Sequence, residues 1–144
     1  VFVYTPGFRL TQTWRPFSDS GGRASAIAYG SDAYVYALDG EDNKIVRFTE
    51  TGHLVSEIAA RRQGTSRRLG DQFAVSNANV FLMDGDGLTL HVLTSDGAPK
   101  LDFDLSPQLG YQHRFVPAIA VSPRRELFVL DSPDSRVLRY RINF

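Results

Sequence analysis

The chain has 144 residues, 42% hydrophobic and 22% charged, with 16 basic and 16 acidic side chains cancelling to zero net charge. That length suits one compact domain. The charge balance disfavours a general attraction to nucleic acid or anionic lipid, and no run of about 18 apolar residues is present to insert into a membrane. The chain contains no Cys, which excludes disulfides, thiolate metal sites and a Cys nucleophile and leaves the redox compartment open.

Val1 opens inside a strand-like stretch with no secretory signal ahead of it, so the chain is expected to be a processed protein or a piece of a longer one. The stretch "VFVYTPGFRLTQTW" at 1–14 matches the second half of the unit that follows. Four strands follow: "SAIAYG", "YVYAL", "KIVRF" and "LVSEIA", separated by Ser31-Asp32, by "DGEDN" and by "TETGH". Tyr, Val, Ile and Phe favour pleated surfaces, while Gly, Asp and Asn mark turns.

This order returns twice. "VYALDGEDNKIVRF" at 35–48 is echoed by "VFLMDGDGLTLHVL" at 80–93 and by "LFVLDSPDSRVLRY" at 127–140. Ala28, Ala74 and Ala120 lie at steps of 46, the corner acids Asp39, Asp84 and Asp131 at steps of 45 and 47, and Gly52 and Gly97 are 45 apart. The second strand of each copy is apolar on successive residues, as in a strand covered on both faces. The fourth alternates: in "KLDFDLS", Leu101, Phe103 and Leu105 share one side, and Asp102 and Asp104 take the other, which fits a half-exposed edge. Four graded antiparallel strands at a period near 45 describe the blade of an all-β propeller. The copies divide the chain into a half blade at 1–17 and blades at 24–60, 72–106 and 117–144.

The stretches "AIAYGSDAYVYALDGEDNKIVRFTETGHLVSEIA" and "AIAVSPRRELFVLDSPDSRVLRYRINF" resemble the NHL-type β-propeller repeat, and the middle copy resembles it less closely. The resemblance implies a propeller of about six blades. About three are accounted for, and propellers usually close with four to eight. The expectation is a segment of a larger propeller; two copies forming a six-bladed ring, or another all-β fold, are the alternatives. In the first two cases "RLTQTW" is placed to supply a missing outer strand beside "VLRYRINF". The expected partners are therefore the remaining blades of the same propeller or another protein, with self-association through open lateral faces.

In a propeller, the corners between second and third strands share a rim with the links between blades. Here that rim takes residues 18–25, 39–44, 60–71, 84–88, 106–117 and 131–136, and loops on a rigid frame carry recognition. The link "AARRQGTSRRLGDQ" places Arg61, Arg62, Arg67 and Arg68 around Gly64-Thr65-Ser66, a pattern of paired forks and hydroxyls that suits phosphate or carboxylate groups. The link "SPQLGYQHRFVP" adds Tyr111, His113 and Arg114, types suited to contact surfaces. The alternative for these residues is a solvated loop whose charges pair locally.

The corner acids read as turn braces that accept backbone N–H bonds, and "DGDG" at 84–87 reads as a solvated turn, because a calcium loop needs further oxygens and a closing Glu. No catalytic residue, metal ligand set or cofactor motif is identified. The expected function is a non-catalytic binding or scaffold module for a protein or small ligand. The alternatives are a propeller hydrolase or lyase with an axial metal, and RNA binding by a basic rim, which some NHL-like proteins use. The zero net charge weakens the RNA reading.

Overall fold

The computed structural model of the chain describes residues 1–17, 22–39, 42–59, 69–85, 87–109 and 118–143. Within them the chain forms a short hairpin, β1 (Phe2–Tyr4) and β2 (Leu10–Thr13), then three sheets. The first sheet is β3 (Ala24–Tyr29), β4 (Tyr34–Asp39), β5 (Lys44–Thr49) and β6 (Leu54–Ala59). The second is β7 (Leu69–Ser76), β8 (Asn79–Asp84), β9 (Thr89–Thr94) and β10 (Pro99–Asp104), and the third is β11 (Ala118–Val121), β12 (Glu126–Asp131) and β13 (Arg136–Arg141). Each sheet is antiparallel and meandering, with strands adjacent in chain order. These are propeller blades.

One turn recurs three times and fixes the strand types. The Thr49 N–H donates to the His53 carbonyl at 2.9 Å and the Gly52 N–H to the Thr49 carbonyl at 3.0 Å, while the His53 N–H reaches Thr49 Oγ1 at 3.0 Å. Thr94, Gly97 and Ala98 repeat all three bonds, and so do Thr5, Phe8 and Arg9. The hairpin thus closes with the same turn that joins the third and fourth strands of the first two sheets. The third sheet has first, second and third strands.

Two apolar seams join the sheets. On one side of the first sheet Tyr36, Leu38, Ile45 and Ile58 are buried against Phe73, Val80, Leu82 and Leu93 of the second. The opposite side of the second sheet, with Phe81, Met83, Leu90 and Val92, is buried against Leu127 and Val129 of the third. Sandwiching explains the unbroken apolar run of β8, whose six residues are all buried, and full burial of such side chains contributes about 1.5–3 kcal/mol each. Trp14 and Phe17 cover Ala37, Val46 and Phe48 on the remaining side of the first sheet, with the Trp14 and Phe48 rings 5.1 Å apart.

Hydrogen bonds also cross the seams at the inner ends of the sheets, where they link counterparts 46 residues apart. Ser76 Oγ donates to the Ser122 carbonyl at 3.2 Å, the Asn77 N–H to Ser31 Oγ at 3.1 Å and Asn77 Nδ2 to the Pro123 carbonyl at 3.0 Å.

One feature departs from expectation. A helical turn, α1 (Ser106–Leu109), follows β10 and is capped by the Asp104 carboxylate, which accepts the Ser106 N–H at 2.8 Å; it buries Leu109 beside Leu105 in the second seam. Within this single chain the segment "RLTQTW" pairs with β1, because the Thr5–Arg9 turn closes locally and Trp14 is held on Phe48. Among the described residues β13 pairs with β12 alone.

Candidate ligand-binding rim

Strand register places both interblade links on the corner side. Ala59, which precedes the first link, pairs with Lys44 at the corner of the first sheet, and Leu69, which follows it, pairs with Asp84 at the corner of the second. Likewise Asp104 pairs with Thr89, and Ala118 with Leu130 beside Asp131. Arg61, Arg62, Arg67, Arg68, Tyr111, His113 and Arg114 themselves lie outside the described residues; their anchors stand on one rim.

The corner acids are buried, with Asp39 and Asp131 at 0% exposure and Asp84 at 4%. Asp84 Oδ1 accepts the N–H groups of Leu88 at 3.3 Å and Thr89 at 3.1 Å, and Asp39 Oδ1 accepts that of Asp42 at 3.3 Å. The chain needs this bracing because each corner passes through the left-handed region, at Asn43 (φ 49°), Gly87 (φ 73°) and Ser135 (φ 50°). Asp84 is therefore a buried strut that braces its corner as the sequence suggested, while Gly85 beyond it is exposed: the carboxylate closes the second strand and folds inward over the start of the third.

At the third corner a guanidinium joins the brace. Arg136 Nε donates to Asp131 Oδ2 at 2.7 Å, and its Nη2 lies 3.0 Å from Asp134 Oδ2 and donates to the Gln108 carbonyl of α1 at 2.8 Å. The hydrogen bond to Asp131 holds the Arg136 guanidinium above its ordinary pKa, with both carboxylates adding attraction. Arg136 falls within the rim stretch 131–136 but was not singled out among its candidate residues; its signal was an Arg five positions after the corner acid.

The opposite rim holds a second polar group. Tyr36 donates to Asp32 Oδ2 at 2.7 Å, and burial, followed by that bond, pushes its hydroxyl up to about 12, while Arg47 opposes the shift. Arg47 stacks on the Tyr34 ring at 4.8 Å. His91 and Asp102 form a cross-strand pair at 2.9 Å on the outer part of the second sheet, away from both rims. Among the described residues no three His, Cys, Asp or Glu side chains gather as a metal site.

Solved structures share this architecture. The chain superposes on virginiamycin B lyase from Staphylococcus aureus with a TM-score of 0.56 and 18% identity, covering 99% of this chain and 48% of that one. A streptogramin B lyase gives 0.55 and 17%, with the same coverage. A structural genomics protein from Bacteroides thetaiotaomicron gives 0.62 and 18%, covering 96% of this chain and 41% of that one. No protein-family model and no curated protein matches the sequence. The chain has a β-propeller fold. It spans just under half the length of these structures, and identities this low show the fold alone.

Proposed function

We propose that this chain is part of an NHL-like propeller, of six blades when complete, that acts as a non-catalytic binding module. Its corner rim presents Arg61, Arg62, Arg67 and Arg68 with Tyr111, His113 and Arg114 to an acidic protein segment or a small anionic ligand. The observation that carries the reading is the register of the anchors: Ala59, Leu69, Asp104 and Ala118 all stand at corner ends of their sheets. Both links therefore leave and return on one side of a rigid frame. The recurring acids are engaged in bracing that frame, which leaves recognition to the links.

Titrating the chain calorimetrically with a Glu-rich peptide, and separately with inorganic phosphate, tests this. Saturable binding of either probe that disappears when Arg61, Arg62, Arg67 and Arg68 are replaced together by Ala is expected. Indifference to that replacement would overturn it. The enzyme alternative, a hydrolase or lyase with an axial metal, would displace this reading if stoichiometric calcium or zinc accompanied the purified protein.

A further inference from the structure

The two interblade links are fastened differently. The first leaves Ala59 on the first sheet and returns at Leu69 on the second. The second leaves α1, and α1 is already bonded to the third sheet where the link begins: Arg136 Nη2 donates to the Gln108 carbonyl at 2.8 Å. The link returns at Ala118, which pairs with Leu130 of that same sheet. Leu130 adjoins Asp131, and Asp131 pairs in register with Arg136. Both ends of the 110–117 stretch are therefore tied to one corner.

The side chains set this corner apart from the other two. Five positions after each corner acid stands Lys44, Thr89 or Arg136. Thr89 gives its backbone N–H to Asp84, and its side chain is short. Lys44 ends in a single ammonium, 3.5 Å from Asp42 and 5.8 Å from the centre of the Phe17 ring. The Arg136 fork donates in two directions at once, with Nε on the fully buried Asp131 at 2.7 Å and Nη2 on Gln108. The target suits it, because the last carbonyls of a helical turn have no partner within the turn. The other side of α1 is held by the second sheet, where the Leu105 N–H donates to the Leu88 carbonyl at 2.7 Å. Arg136 is a poor recogniser of anions in its own right: Asp131 and Asp134 bring two carboxylates to its one positive charge.

We infer that Arg136 is a positioning residue for the second link: by holding the Gln108 carbonyl it fixes the point from which Tyr111, His113 and Arg114 are presented to a ligand. A fixed point of departure reduces the conformational entropy that binding must remove. The consequence for recognition rests on the rim function proposed above; the anchoring of α1 does not.

Arg136→Lys tests this, because an ammonium keeps the charge beside Asp131 but cannot bridge from it to Gln108. Amide hydrogen exchange followed by NMR reads the anchoring. The Gln108 and Leu109 N–H groups, which both donate to the Leu105 carbonyl, are expected to exchange about tenfold faster in the variant, the scale of one hydrogen bond to a charged group. Amides of β8 and β12 are expected to keep their rates, which shows the sheets intact; Arg136→Gln is expected to give the same pattern. Titrated with the Glu-rich peptide, Arg136→Lys is expected to bind about tenfold more weakly at unchanged net charge. Arg139→Lys, at a side chain bonded to Glu126, is the control and should change neither reading. Unchanged exchange at Gln108 and Leu109 overturns the inference whatever the peptide does. Faster exchange with unaltered affinity overturns the positioning role. If the unmodified chain binds neither peptide nor phosphate, the rim function falls and takes the role in recognition with it, while exchange still decides the anchoring.

Discussion

Truncating the same repeat position in two blades separates burial by a neighbouring blade from residue chemistry. Leu38→Ala removes a side chain at 0% exposure from the first seam, where Ile45, Phe73 and Leu82 enclose the space it leaves. Lost transfer energy and a residual cavity together cost about 3 kcal/mol. Leu130→Ala removes a side chain already 42% exposed, with no sheet behind it among the described residues. Roughly half of a ~2 kcal/mol burial is lost and no cavity forms, so the cost is about 1 kcal/mol. With an m-value of about 2 kcal/mol per molar urea, the midpoint falls by about 1.5 M for the first variant and about 0.5 M for the second. The emission of Trp14, the only Trp in the chain, reports unfolding. Equal midpoint shifts would refute the claim that the blade next door, rather than the local sheet, buries this position.

Other outcomes follow from local geometry. Phe8 has φ 59° where its counterparts are glycines with φ 86° and 90°, and its side chain is 88% exposed, so Phe8→Gly is expected to raise the urea-unfolding free energy by about 0.5–1 kcal/mol. Asp84→Ala strips the acceptor from the Leu88 and Thr89 N–H groups and should cost about 2 kcal/mol; the melting temperature of the unmodified chain should not move with added millimolar calcium. The folded chain holds the Tyr36 proton up to about 12, whereas an unfolded tyrosine releases it near pH 10. Its stabilisation is therefore complete below pH 10 and lost as pH rises toward 12, and Tyr36→Phe should flatten that slope in urea titrations read at successive pH values.

The architecture was legible because each blade restates its own chemistry. The Asp-Gly corner, the Thr-turn-Gly step and the doubly apolar second strand recur within a residue or two of a common period. Burial of the corner acids was less legible: a carboxylate in a turn looks alike in a sequence whether it faces water or folds back over its strand, and register alone separates the two. The helical turn at Ser106–Leu109 was announced by Asp104 ahead of Ser106-Pro107, a start signal overlooked inside a link. Arg136 lay within a rim stretch with nothing in the linear sequence to show that α1 stands beside it. The bonds between Ser31, Asn77 and Pro123 join positions a full repeat apart, which linear spacing can align but not bring into contact.

Those last bonds govern how such a molecule can grow. Donor and acceptor occupy equivalent places in successive units, so duplicating a unit brings both halves of its stitching with it and needs no fresh invention at the join. The same arrangement spreads the consequences of error: a substitution at Asn77 removes the side-chain bond ahead to Pro123, whereas the tie behind, from the Asn77 backbone N–H to Ser31 Oγ, is lost through a substitution at Ser31.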